Sequence, residues 1–419
     1  MSASLCRSVA LLILALSLGA APPAVSAHAA PAVPVSWNAL AAAPHTLTVT
    51  VAQPAVINLT AAALTAAGWA LPQVNPQTVQ VWRNGVEIPA NVTTDGHGRL
   101  AAVRFRAAGN ESIFSRAAVY WLTYGRGQGR RLPAPPAGSI ALRWEVDQTY
   151  DPLATSLRGD SWFAFALRPD TEARTIDVTL PAPLAAGGVL QVSVAPTLRR
   201  SGHALELRHD GHRIGMAQWD DDAAAAPRVL HVTLERPLPA GPVSLAVALV
   251  SSGADRVLLD ALTFPGLQQP LPTLAPAPAP VAPRDLRAGP GAGLAGASYL
   301  MITHRSLQPA LAPLAAVKQA RGDTVGIVDV QWAYDAFSYG ERDPAAIRTL
   351  IAVAVAQWTP PPRAVLLVGA GTVRMRGVAH RPPGRGRAVS DAPVADPLIP
   401  PFLVRGIDPS GEIACDTCY

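Results

Sequence analysis

The stretch SYLMITHRSLQPALAPLAAVKQARGDTVGIVDV, residues 298–330, decides the fold class of the C-terminal part of this chain. Tyr299-Leu300-Met301-Ile302-Thr303 is apolar at consecutive positions, as a strand covered on both faces of a parallel sheet must be. Ser306 stands where a helix cap belongs, and Gly322 stops the helix that runs to Arg321. Pro309 and Pro313 fall early in that helix, and Pro313 is expected to bend it. Thr324-Val325-Gly326-Ile327-Val328-Asp329-Val330 reads as a second strand. Asp343-Pro344 couples a capping carboxylate to proline at the first helical position, and opens a helix reaching about Trp358. Pro360-Pro361-Pro362 ends it, and Ala364-Val365-Leu366-Leu367-Val368-Gly369 is the third strand. Strand, helix, strand, helix, strand implies right-handed crossovers and a parallel sheet. No closing strand or helix is legible before Tyr419, so residues 298–419 are expected to be the N-terminal part of an incomplete α/β domain.

Upstream the rhythm changes. Residues 268–297 are dense in proline and glycine, with Ala275-Pro276-Ala277-Pro278-Ala279-Pro280 at their centre, and read as an extended, semi-rigid linker. Before it, residues 140–267 carry many short alternating runs, among them 162–167, 174–180, 189–194, 204–209, 228–234, 243–250 and 256–264. Gly187-Gly188, Asp210-Gly211 and Pro239-Ala240-Gly241-Pro242 separate them, which suggests a sandwich of two antiparallel sheets. Residues 28–135 form a second β-rich unit. Its markers are the alternation from His45 to Val51, a short helix from Leu59 to Ala67 capped by Thr60, and the Asn84-Gly85 turn. Residues 1–27 read as a secretory signal peptide: Arg7, an apolar run at 9–21, and Val25-Ser26-Ala27 before His28. The run is shorter than the ~20 residues a span needs, and no other segment qualifies, so a secreted, extracellular protein without a membrane span is expected.

Composition narrows the functions. At 49% hydrophobic residues the chain can fill several cores. The net charge of +5 is modest for 419 residues and rests on arginine, Lys318 being the only lysine. No basic stripe is interleaved with aromatics, so no nucleic-acid partner is expected. Three cysteines, Cys6, Cys415 and Cys418, exclude a disulfide scaffold.

The candidate sites are few. Gly369-Ala370-Gly371-Thr372 leaves a buried strand, but Val373-Arg374-Met375-Arg376 leads to Pro382-Pro383-Gly384 rather than to a phosphate-binding helix, so a turn is the expected reading. Arg374, Arg376, Arg381, Arg385 and Arg387 suit either an anionic partner or a solvated loop. Cys415-x-x-Cys418 has neither a following helix for a redox motif nor two further ligands for zinc. Gly96-His97-Gly98 reads as a hairpin turn, and His203, His209, His212 and His231 lack metal-ligand spacing. No catalytic, cofactor-binding or metal-binding residue is assigned, and no cofactor is expected.

The order of pieces resembles the gingipain-type cysteine peptidases in their secreted bacterial multidomain form. The resemblance is carried by Tyr299 to His304, by Ala316-Val317-Lys318-Gln319-Ala320-Arg321-Gly322, and above all by Val328-Asp329-Val330-Gln331 with Tyr334 to Gly340. Asp343 to Arg348, Pro361 to Gly369, Ile399-Pro400-Pro401-Phe402-Leu403 and Asp416 to Tyr419 follow in the family's order. Val81 to Pro89 and Val119 to Gly125 resemble the accessory region before such domains. The resemblance implies a caspase-like α/β fold and peptide-bond hydrolysis by a Cys/His dyad acting on a protein or peptide substrate. In that family both dyad residues come later in the domain than the stretch matched here. Cys415 falls where the family has serine, and Ala370 where it commonly has aspartate. The chain therefore reads as an inactive or incomplete form of such a peptidase. A non-enzymatic exported adhesion or binding module of β-sandwich domains is the alternative, and an α/β nucleotide binder a weaker third.

Overall fold

The structure is a computed structural model describing residues 40, 45–109, 112–115, 117–134, 139–151, 154, 156–157, 161–197, 202–220, 226–274, 277–281, 294–371, 398–405 and 412–419. The signal-peptide reading at 1–27 and the arginine-rich loop at 374–387 lie outside these residues.

The first β unit contains β1 (Leu47–Val51), β2 (Ala55–Thr60), α1 (Ala61–Ala66), β3 (Gln80–Arg83), β4 (Val86–Ile88), β5 (Asn91–Thr94), β6 (Leu100–Ala107) and β7 (Ala118–Thr123). Its sheets run β1-β7-β3-β4 and β2-β6-β5, all antiparallel, and share one core. Leu47, Val49 and Val51 bury one face of β1 while Thr50 is exposed. Each apolar side chain so buried stabilises by roughly 1.5–3 kcal/mol. Thr60 caps α1, its Oγ1 accepting from the Ala63 amide at 3.3 Å. Asp95 closes the β5–β6 turn by accepting from the amides of Arg99 and His97, both at 2.9 Å, so His97 is a turn residue. Those two amides hold the Asp95 carboxyl below its ordinary value.

The second unit comprises β8 (Ser139–Glu145), β9 (Thr149–Tyr150), β10 (Trp162–Phe163), β11 (Phe165–Leu167), β12 (Arg174–Leu180), β13 (Val189–Pro196), β14 (His203–His209), β15 (His212–Trp219), β16 (Arg228–Thr233), β17 (Gly241–Leu249) and β18 (Val257–Pro270). The sheets β12-β17-β14-β15 and β11-β18-β13-β16, with β8 beside β18, enclose a second core. The run at 162–167 divides at Ala164: Trp162-Phe163 pairs with β9, whereas Phe165 to Leu167 pairs with β18. Asp210-Gly211 turns β14 into β15, a strand that His-Arg-Ile-Gly-Met-Ala-Gln-Trp did not announce by alternation.

The proline-rich stretch does more than space two domains. β18 itself continues to Pro270. Beyond it the chain lies along the first unit. The Val56 amide donates to the Pro272 carbonyl at 2.8 Å, and the Leu274 amide returns a bond to Val56 at 3.2 Å. Thr48 and Val281 exchange bonds of 2.7 and 2.9 Å, and Leu274 and Ala277 pack on the first core. Proline suits such an edge position, where its missing N–H leaves no ladder bond unmade.

The third unit has a three-stranded parallel sheet of order β20-β19-β21, built from β19 (Tyr299–Thr303), β20 (Val325–Asp329) and β21 (Ala364–Val368). Its helices are α2 (Ala312–Ala320), α3 (Val330–Phe337) and α4 (Pro344–Gln357). Ser306 does not cap α2. The two prolines instead start a 3-10 turn at Gln308–Leu311 and then α2, neither with a side-chain cap. Lys318 ties α2 to the sheet, its ammonium 4.2 Å from the centre of the Tyr299 ring. The second strand ends one residue earlier than its apolar run, because the Asp329 carboxylate accepts from the Gln331 amide at 3.1 Å and starts α3. Asp343 caps α4 in the same way through Ala345 at 2.8 Å, with Pro344 at the first helical position. A β22 (Leu403–Arg405) and β23 (Glu412–Ala414) hairpin follows, antiparallel. The molecule is thus multidomain, two β-rich units before an α/β unit.

The first and third units are joined through β7. Every residue of β7 is buried. Ala118, Tyr120 and Leu122 enter the first core, while Val119 and Trp121 face the other way and meet Ala336, Trp332, Phe337 and Tyr339. Trp121 is 0% exposed, and its Nε1 donates to the Tyr339 carbonyl at 2.7 Å.

Candidate active-site crevice

The strand order β20-β19-β21 sets a geometric expectation. The chain leaves β19 to one side and returns through α4 to the other, so the sheet has its switch point between β19 and β21. Open α/β sheets place their sites outside the carboxyl ends of the strands at such a point. Here those ends are Thr303-His304 and Val368-Gly369-Ala370-Gly371.

Thr303 is buried and its Oγ1 donates to the Val368 carbonyl at 2.9 Å, pinning the two strands together at their carboxyl ends. His304 follows, half-buried. Its Nδ1 lies 2.8 Å from Ser306 Oγ and accepts the Ser306 amide at 3.3 Å. A backbone N–H can only donate, so Nδ1 keeps its lone pair and the neutral ring carries its proton on Nε2. Across the switch point, a Cβ added to Gly369 would stand 3.0 Å from both Ile399 Cγ1 and Leu398 Cβ. Glycine is what lets residues 398–399 lie on this turn, and the Leu398 amide donates to the Ala370 carbonyl at 3.2 Å.

Residues of α3 and α4 form one core with Ile399, and Tyr419 packs against it. Tyr334 is 3% exposed, and burial pushes its hydroxyl well above the ordinary range, opposed by nearby Arg342. Burial likewise pushes the Asp343 carboxyl up, while the Ala345 amide and Arg348 pull it down. The Arg348 guanidinium lies 4.8 Å from the Phe402 ring centre. Phe402 meets Tyr419 edge to face at 5.0 Å, and the Tyr419 hydroxyl donates to the Pro400 carbonyl. Cys415 and Cys418 are joined as a disulfide.

The residues singled out in the sequence fare differently. The glycine turn at 369–371 is at the crevice, and Cys415 and Cys418 close the segment beside it. The histidines of the second unit are elsewhere. His203 is 0% exposed, with Nδ1 2.9 Å from Asp255 Oδ2, which also accepts from Ser251 Oγ at 2.5 Å; Trp219 stacks on the ring. Serine, aspartate and histidine thus meet, but Ser251 and Asp255 are buried with it, and the set acts as a core network rather than as chemistry. His209 bonds the Ser244 carbonyl and His231 bonds Gln191. Among the described residues no cluster of His, Cys, Asp and Glu could hold a metal, and no helix is long and apolar enough to cross a membrane. In the sequence His304 closes the run of the first strand and is not among the candidate site residues; its position at the end of the central strand was the available signal.

Residues 294–419 match the family model of peptidase family C25. This α/β segment is similar to that family. The chain as a whole is similar to dimeric latent PorU from Porphyromonas gingivalis, at 15% identity and a TM-score of 0.49, covering 90% of this chain and 46% of that one. It thus spans less than half the length of the PorU chain. About 30% of the chain is similar to the carbohydrate-binding module CBM36 in complex with calcium and xylotriose, at 12% identity, 97% of that module and a TM-score of 0.21. The same share is similar to CsCBM6-3 from Clostridium stercorarium in complex with cellobiose, at 14% identity, 92% of that chain and a TM-score of 0.19. No curated protein matches the chain.

Proposed function

We propose that this chain is the forward part of a secreted cysteine peptidase of the gingipain family, with two β-rich accessory domains at 28–135 and 140–267. Its chemistry is peptide-bond hydrolysis by a Cys/His dyad, and residues 1–419 alone do not perform it. The match of residues 294–419 to peptidase family C25 carries the assignment. The state of the cysteines supports the second statement. A cysteine nucleophile acts as a thiolate. Cys415 and Cys418 are the cysteines among the described residues, and each is committed to the other. In the active protein the 294–419 segment would supply the first strands of the sheet and the crevice at their carboxyl ends, with Thr303 and the Gly369 turn setting its shape. Export rests on Arg7, the apolar run at 9–21 and Val25-Ser26-Ala27.

The test is a hydrolysis assay of the purified chain on unfolded protein and on a mixed peptide library, with and without a thiol reductant. No cleavage is expected in either condition, and Cys415→Ala and Cys418→Ala should behave as the parent. Thiol-dependent cleavage lost in Cys415→Ala would make Cys415 a nucleophile and overturn the reading.

A further inference from the structure

We propose that the Cys415–Cys418 disulfide is a thiol–disulfide exchange site whose reduction by a dithiol unlatches Tyr419 from the carboxyl end of the α/β sheet. The inference does not depend on peptidase activity. It starts from what the disulfide holds. The Cys415 amide donates to the Phe402 carbonyl at 2.8 Å, extending the β22–β23 pairing by one bond. The Cys418 amide closes back on the Cys415 carbonyl at 3.4 Å, so the two sulfurs staple a single tight turn. That turn delivers Tyr419 onto Phe402 and onto the Pro400 carbonyl, and Tyr419 joins the α/β core together with Ile399. Residues 398–399 in turn lie on the Gly369 loop. A continuous path therefore runs from the disulfide to the switch point of the sheet.

Two properties suit this disulfide to exchange. Both cysteines are half-buried rather than enclosed, so an attacking thiolate can reach a sulfur. The bridged positions are three apart in sequence, and closing so short a loop constrains the unfolded chain least. Reduction should therefore act locally and leave both β cores folded. In the reaction a thiolate of the dithiol attacks one Sγ, the protein S–S bond breaks, and a mixed disulfide forms. The second thiol of the reductant then attacks the mixed disulfide and expels the protein sulfur. The protein gains two electrons and two protons, and the dithiol leaves as its cyclic disulfide.

The experiment treats the full chain with dithiothreitol under native conditions. Alkylation followed by mass spectrometry counts the thiols, and hydrogen exchange reads the amides of Leu398, Cys415 and Cys418. Reduction should free both thiols and speed exchange at these three amides about tenfold, with the amides of β13 and β17 unchanged. Tyr419→Ala should show the same fast exchange while its disulfide is intact. The double variant Cys415→Ser with Cys418→Ser should exchange fast without reductant and not respond to it. A disulfide that resists native dithiothreitol, or reduction that leaves Leu398 exchange unchanged, would overturn the proposal.

Discussion

Two strands of this molecule look alike as sequence and end in different surroundings. β7, Ala-Val-Tyr-Trp-Leu-Thr, and β21, Ala-Val-Leu-Leu-Val, are both apolar runs. β7 is buried along its whole length, because the first core takes one face and the α3 helix of the third unit takes the other. β21 is half-buried after an exposed first residue, and among the described residues pairs with β19 alone. Apolar composition states how much surface a strand needs to hide. It does not state which partner hides it, and for β7 that partner lies more than 200 residues away.

The largest expected effect breaks the better-covered strand. Trp121→Ala removes a fully buried indole and its bond to Tyr339, and should cost about 3–5 kcal/mol, in the range of large-to-small core changes. Leu366→Ala in half-buried β21 should cost only about 1 kcal/mol, since less area is withdrawn from water. Urea midpoints of the full chain test the difference. Hydrogen exchange locates it: α3 amides should speed up in Trp121→Ala. Unchanged α3 exchange would mean that the docked β unit contributes nothing to the α/β unit.

A second measurement sharpens the same contrast at one atom. Gly340 has φ +84°, and a Cβ there would lie 3.0 Å from Val119 Cγ1 on β7. Gly322 has φ +89° and open space around its would-be Cβ. Both alanine variants carry the left-handed backbone strain of about 1–2 kcal/mol, but only Gly340→Ala adds a steric clash with the neighbouring unit. Gly340→Ala should be the less stable, and adding Val119→Ala should recover part of the difference. Equal losses at the two glycines would show that the interface yields freely.

The same logic separates what was legible from what was not. β19, β20, β21 and α4 could be read because their signals are local: apolar runs, and an aspartate before a proline. α3 could not, since three of the eight residues of Val330-Gln331-Trp332-Ala333-Tyr334-Asp335-Ala336-Phe337 are aromatic and of modest helix propensity. Its helix rests on the Asp329 cap and on burial against Val119 and Trp121, which no local window contains. Ser306 was misread for the opposite reason. A cap signal was present, but the prolines at 309 and 313 set the helix start downstream, and Ser306 turned to His304 instead. At the crevice the glycine turn was legible. The bonds beside it, Thr303 to Val368 and Tyr419 to Pro400, were not, because each joins positions that only the fold brings together.

The smallest expected effect concerns the α4 cap. Asp343 has two opposed roles. Its carboxylate caps α4 through the Ala345 amide, yet burial pushes its pKa above the ordinary 3.8. A carboxyl whose folded pKa is raised binds its proton more tightly when folded, so between the two values stability falls as pH rises. The cost of the buried charge is absent below the unfolded value and fully present above the folded one. Asp343→Asn keeps a capping oxygen and removes that titration, so it should match or exceed the parent at neutral pH and lose the advantage once the parent is protonated. Asp343→Ala loses the cap at every pH, at about 1 kcal/mol. Urea midpoints of the three proteins at neutral pH and near pH ~3.5 decide the matter. If Asn and Ala fall together at both pH values, the oxygen is not capping α4. If Asn stays below the parent at neutral pH, the charge at Asp343 stabilises the cap, and burial does not govern its titration.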